Sequence, residues 1–146
     1  MATSILEATK IQARALIPIV KALEQEIGKK RAHEIVGKAI AENYVAWREK
    51  RGFELDSHPG EASDGPAFPV EEEVVENTET AYGHDVKVCA FAAYFRSIGE
   101  PEIGALMTCG VDFAAEARMR PGWEFSRTQT LMQGAPCCDF RWKKKP

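Results

Sequence analysis

The hydrophobic residues change period partway along the chain, and that switch limits the folds open to it. Leu16, Ile19, Val20, Leu23 and Ile27 recur at the three-and-four spacing of one helical face, and Ala32, Ile35, Val36, Ala39, Ile40, Asn43 and Trp47 repeat it. From Glu72 onward the pattern alternates in steps of two, over 74–82 and 86–91 and again over 123–133 and 137–143. The stretch 53–69, with Pro59, Gly60, Gly65, Pro66 and Pro69, separates the two regimes and reads as a long connecting loop, best taken as a mobile linker. Helices first, then hairpins with helices between them, do not make the alternating strand–helix order of a parallel sheet. The expected class is α+β: two N-terminal helices, then hairpin, two helices, hairpin, with an antiparallel sheet packed on the helices.

Local signals set the expected boundaries. Ser4 and Glu7 have capping-box spacing, Pro18 is expected to kink the first helix, and Gly28 to stop it. The second helix runs from about Lys29 to near Gly52. Gly83-His84-Asp85 is read as the turn of the first hairpin, after which Ala92 to Ile98 forms a short helix ending at Gly99. Pro101 opens a further helix that continues to about Met119, with Ile103, Leu106, Met107, Gly110, Ala114 and Ala117 inward, until Pro121-Gly122 breaks it. In the last hairpin, joined at Gly134-Ala135-Pro136, alternation places Arg127 and Gln129 on the apolar face of one strand. Cys138, Phe140 and Trp142 lie opposite Asp139, Arg141 and Lys143 on the other. One domain is expected over 1–146, divided into a helical pair (1–52), a loop (53–70) and a site-bearing α+β part (71–146).

Composition excludes several function classes. Charged residues make up 28% and hydrophobic ones 45%, with a net charge of −3, which argues against disorder and against nucleic-acid binding; Lys143-Lys144-Lys145 is too short a basic run to change that. No apolar run approaches the length of a membrane span, and Glu7 and Lys10 interrupt the N-terminal apolar pattern before a secretory signal can form, so a cytoplasmic location is expected. Four cysteines, two of them adjacent, do not look like a secreted disulfide framework; in a reducing compartment they are free thiols, metal ligands or nucleophiles.

Candidate chemistry concentrates between Leu106 and Trp142, together with Cys89. Asp112, Arg127, Gln129 and Gln133 stand among Leu, Met, Phe and Trp, where an unpaired buried polar group costs about 1–3 kcal/mol. Cys109 and Asp112 lie three apart on an expected helix, one above the other, with Glu116 continuing the row. A carboxylate beside a thiol disfavours the thiolate, so the pair makes sense with Asp112 as base, with Asp112 orienting a water, or with both facing a cation. The blander alternative is a small core cysteine next to a solvated aspartate. Arg127 and Arg141 are candidates for a substrate carboxylate, Arg127 the better for being inward. His84 reads as an exposed turn histidine, and one of Cys137 and Cys138 as exposed and incidental. Cys89, Cys109 and Cys138 fall on three elements and lack the short spacing of a recognisable zinc site.

Two segments, VKVCAFAAYFRSIGEPEIGALMTCGVDF and SRTQTLMQGAPCCDFRW, resemble the L-2-amino-thiazoline-4-carboxylic acid hydrolase family. The opening ILEATKIQARALIPIVKALEQEIGKKRAHEIV is also of the kind found at the start of such proteins. The resemblance covers most of the chain, leaving out the 53–69 loop, and carries the family pattern onto Cys89, Cys109, Asp112, Gly134, Cys138, Asp139, Phe140 and Arg141. Cys137 departs from it, which marks Cys138 as the meaningful thiol of the pair. More distantly, the layout is similar to 4-vinyl-reductase-type ligand-binding domains.

The family resemblance implies a hydrolase that opens the ring of L-2-amino-thiazoline-4-carboxylate or a related cyclic amidine, giving N-carbamoyl-L-cysteine. Cys109 and Asp112 would be catalytic, and Cys89, Arg127, Gln133, Cys138 and Arg141 would bind substrate. No cofactor is expected, with zinc on Cys89, Cys109 and Cys138 as the alternative. The expected partner is a small anionic molecule, not nucleic acid or membrane, and a homo-oligomer is left open. The rival functions are a non-catalytic small-ligand-binding domain and a cysteine-based metal-binding or sensing domain.

Overall fold

A computed structural model describes residues 2–61 and 68–146. Helix α1 (Ile5–Ile27) starts where Ser4 accepts the Glu7 amide at 3.1 Å, while the Glu7 carboxylate turns outward to Lys10. It runs through the solvent-facing Pro18 and ends at Gly28, whose φ of 86° is open to glycine at little cost. Helix α2 (Lys29–Arg51) folds back on α1 and buries Ala32 and Val36, whereas Ile35 and Trp47 of the expected inner face stay exposed. Its apolar stripe is therefore narrower than the spacing suggested.

The sheet is four-stranded and antiparallel in the order β1-β2-β4-β3, with β1 Val70–Asn77, β2 Ala81–Cys89, β3 Trp123–Ser126 and β4 Cys138–Lys144. The α+β class and the helix–hairpin order hold. The turn of the first hairpin does not fall at Gly83-His84-Asp85, because β2 runs straight through those residues. The chain reverses at 78–80, where the Thr78 hydroxyl accepts the Ala81 amide at 3.0 Å. Gly83 is there for space: a Cβ on it would stand 2.8 Å from Arg141 Cδ on the neighbouring strand.

The helix expected from Pro101 to Met119 is also interrupted. Helix α4 (Pro101–Met107) gives way at Thr108 to a 3-10 turn over Cys109–Val111, and α5 (Asp112–Met119) begins from that turn. Gly110 closes the chain so tightly that a Cβ would meet the Ala105 carbonyl at 2.9 Å, and Gly110 and Ala117 face outward rather than into the core. Helix α3 (Ala90–Ser97) follows β2 directly. Val20, Val36 and Ile103 join α1, α2 and α4 in one apolar cluster, and Ala13, Phe91, Ala92, Phe95 and Met132 form a second. A third, Tyr82, Trp123 and Trp142, coats one sheet face, as the alternation of Cys138, Phe140 and Trp142 required.

The first part of the expected linker is tied down, against the mobile reading. The Met119 carbonyl accepts the Asp56 amide at 2.9 Å, the Asp56 carboxylate accepts the Gly122 amide at 2.7 Å, and Pro59 is buried. His58 lies edge-on to Tyr82 and Trp123. The rest of that linker expectation, 62–67, lies outside the described residues. Against the described part of the linker, at Ser57, sits a buried network in which Arg120 Nη1 donates to both Glu116 oxygens at 2.8 Å, Trp142 Nε1 donates to Glu116 at 2.8 Å, and Arg120 Nε donates to the Ser57 carbonyl at 3.0 Å.

Candidate active site

The break between α4 and α5 creates the site's geometry. Cys109 opens the 3-10 turn and Asp112 opens α5, so thiol and carboxylate leave a tight corner instead of the middle of a continuous helix. Beyond the last ladder residue of β3, Arg127 turns back over this corner. Its Nη1 donates to Asp112 Oδ2 at 2.5 Å and its Nη2 to the Cys109 carbonyl at 3.1 Å. Phe113 and Phe140 flank the guanidinium, with ring centroids 5.2 and 5.3 Å from Cζ. The Arg127 side chain is 7% exposed, against 34% for Asp112. One cation thus spans the Asp112 carboxylate and the Cys109 carbonyl, and solvent reaches the ion pair from the Asp112 side.

Three thiols lie within electrostatic reach of one another. Cys109 packs against the second apolar cluster, and burial pushes its thiol up; the Thr108 hydroxyl at 3.4 Å and the Arg127 charge pull it partly back, while Asp112 and Cys89 oppose them. Cys138 begins β4 and accepts the Leu131 amide at 3.2 Å. Burial raises it to about 11, with Cys109 and Cys89 adding to the rise and Arg127 reducing it. Cys89 ends β2, accepts the Ala92 amide at 3.5 Å as the cap of α3, and packs on the same cluster as Cys109. Both raised thiols are neutral at pH 7, which makes them poor nucleophiles until a base acts.

Other expected site residues lie apart from this corner. Arg141 donates to Asp85 at 2.8 Å and to the His84 carbonyl at 3.0 Å, on the sheet face opposite Cys138 and Phe140. Gln133 is exposed at the end of the 3-10 turn Leu131–Gln133, where it accepts the Thr130 hydroxyl at 3.2 Å. Gln129 donates to Cys137 at 3.3 Å, and Cys137 is buried like Cys138, so neither adjacent thiol is the exposed one expected. His84 is no turn residue: it lies inside β2, stacked on Phe140 at 4.9 Å and 3.5 Å from a Glu72 oxygen. Glu116 serves the Arg120 network rather than the Cys109–Asp112 row. Among the described residues no group of three or more His, Cys, Asp or Glu side chains is placed to hold a metal ion. A groove of about 370 Å³ on the outer face of α2, lined by Arg31, Glu34, Ile35, Lys38, Ala39 and Glu42, contains none of the expected site residues.

Nothing in residue type signals Phe113 or the clamp that Asp139 makes on the chain just past Arg127. Asp139 Oδ1 accepts the amides of Thr128 at 2.8 Å and Gln129 at 2.9 Å, and Oδ2 accepts the Thr128 hydroxyl. By alternation alone Asp139 is an ordinary outward strand charge; only the family pattern marked it.

This is an α+β chain whose antiparallel sheet and helix break bring an arginine–aspartate pair beside half-buried thiols. More specifically, this chain belongs to the L-2-amino-thiazoline-4-carboxylic acid hydrolase family, whose sequence profile matches residues 8–142. No curated protein matches it.

Proposed function

We propose that the protein hydrolyses L-2-amino-thiazoline-4-carboxylate, or a closely related cyclic amidine acid, to N-carbamoyl-L-cysteine. Family membership supports a hydrolase. The observation that carries the finer reading is the Arg127 fork, already engaged with a carboxylate at the corner that holds Cys109. A guanidinium so disposed accepts a second carboxylate in the same geometry. The substrate acid takes Asp112's place on the fork, and Asp112, released and solvent-accessible, removes a proton from water.

The water oxygen bonds to the ring carbon between sulfur and nitrogen, and the carbon–sulfur bond then breaks. One water proton ends on the ring nitrogen, which stays joined to that carbon, its new oxygen and the exocyclic amino group as a ureido group, and the freed sulfur takes the other proton back from Asp112 to become the thiol of the same product molecule. The raised Cys109 thiol favours water over Cys109 as the attacking group, with Cys109 beside the reacting carbon as a neutral hydrogen-bonding partner. Cys89 and Cys138 complete the sulfur-lined wall.

The test is colorimetric thiol release from the thiazoline acid by purified protein. Asp112→Asn should lose about 10²–10⁴-fold in rate, the usual worth of a positioned base. A variant that turns over as fast as wild type rules out the role given to Asp112. The raised thiols also suit a non-catalytic binding domain; that reading requires thermal stabilisation by the thiazoline acid with no thiol released.

A further inference from the structure

We propose that Asp139 is a positioning residue for the candidate site: its carboxylate pins the segment that delivers Arg127 to Cys109 and Asp112. The inference rests on reading that corner as the reaction site. β3 ends at Ser126, which is still paired with Arg141 across the ladder. The next amides, those of Thr128 and Gln129, both donate to Asp139 Oδ1, at 2.8 and 2.9 Å, and the Thr128 hydroxyl donates to Oδ2. A side chain has taken amides that a longer β3 would have offered to the ladder, and the strand stops there.

Arg127 is the single residue between the last rung and the clamp. Its backbone is held on both sides, and its side chain crosses to Asp112 and the Cys109 carbonyl between two aromatic rings. Burial by itself would push the Asp139 carboxyl up, but the donors of Thr128 and Gln129, with its own backbone amide, hold it below the ordinary carboxylate range, so the clamp is charge-assisted at neutral pH.

The consequence has a sign that separates positioning from simple charge. Removing the negative charge of Asp139 would, by itself, ease ionisation of nearby thiols. Letting Arg127 swing away removes a positive charge beside Cys109 and makes its thiolate harder to form.

The experiment is iodoacetamide alkylation of the full chain from about pH 7 to about pH 11, the range in which thiols titrate, with each cysteine quantified by peptide mass spectrometry. Asp139→Ala should raise the Cys109 midpoint by roughly 0.5–1 unit, or about three- to tenfold slower alkylation at fixed pH, a fraction of what a close opposite charge is worth. Arg127→Gln should raise it at least as much. Asp139→Asn keeps one oxygen for the two amides, so it should move the midpoint less, in the same direction, and it decides the matter where the alanine variant does not fold.

Loss of structure alone would speed alkylation of all four thiols. A Cys109 midpoint that is unchanged or lower in the Asp139 variants, or insensitive to Arg127→Gln, overturns the proposal. Alkylation needs no turnover, so a wild-type protein that releases no thiol from the thiazoline acid counts against the hydrolase reading and leaves this test intact.

Discussion

Replacing Glu116 by alanine should destabilise the protein by about 4 kcal/mol, and the structure shows why the figure is large. The Arg120 and Glu116 side chains are 7% and 13% exposed, and the guanidinium reaches both carboxylate oxygens at 2.8 Å. Removing one partner of a buried ion pair leaves an uncompensated charge and costs about 3–5 kcal/mol. Trp142 Nε1 loses its acceptor as well, which alone would cost about 1–3 kcal/mol; shared desolvation keeps the two from adding in full.

Glu116→Gln keeps an acceptor for the indole but still strands the Arg120 charge, so it should cost less than Glu116→Ala by the share due to the indole. A double variant, Glu116→Ala with Arg120→Met, should recover part of the loss, because no buried charge is left over while the Trp142 indole still lacks its acceptor. The assay is urea unfolding followed by tryptophan fluorescence, since Trp123 and Trp142 lie in the adjoining cluster. An unchanged denaturant slope shows that the midpoint shift is stability. A loss below about 1 kcal/mol for Glu116→Ala, the range of solvent-exposed pairs, would refute burial of this network.

Stability should also depend on alkaline pH through Cys138. Its folded thiol is raised to about 11 from an ordinary value of 9.0, so its contribution is complete below the ordinary value and is lost as pH rises through the folded one. Thermal unfolding between those two pH values should therefore fall more steeply in wild type than in Cys138→Ala. Gly83→Val should weaken the β2–β4 pairing, because its Cβ would press on Arg141 Cδ at 2.8 Å; the check is a lowered urea midpoint. Phe95→Ala should cost about 3–5 kcal/mol, as for other fully buried aromatic rings, in the same urea assay.

Much of the fold was legible because its signals are local. Ser4 and Gly28 bound the first helix through their own backbone geometry, and the change of hydrophobic period marks where helices give way to strands. Sequence and structure part where one residue type has two uses. Gly83 looks like a turn glycine but makes room for Arg141, while the true turn rests on the less conspicuous Thr78 hydroxyl. Helical spacing runs unbroken through Thr108 and Gly110, yet the helix breaks there into a tight turn that leaves no room for a Cβ between Gly110 and the Ala105 carbonyl.

For the candidate site, the sequence by itself supplied the candidates. It marked Cys109 and Asp112 by their spacing and Arg127 by inward alternation. Only the tertiary structure decided the pairing: Arg127 closes on Asp112, 15 residues away, while Arg141 goes to Asp85 on the other side of the sheet. The physical reason is range. Helical and strand periodicity are properties of a few consecutive residues, whereas an ion pair depends on how strands and helices dock. Here a carboxylate at Asp139, capturing two amides just past Ser126, sets where the arginine emerges.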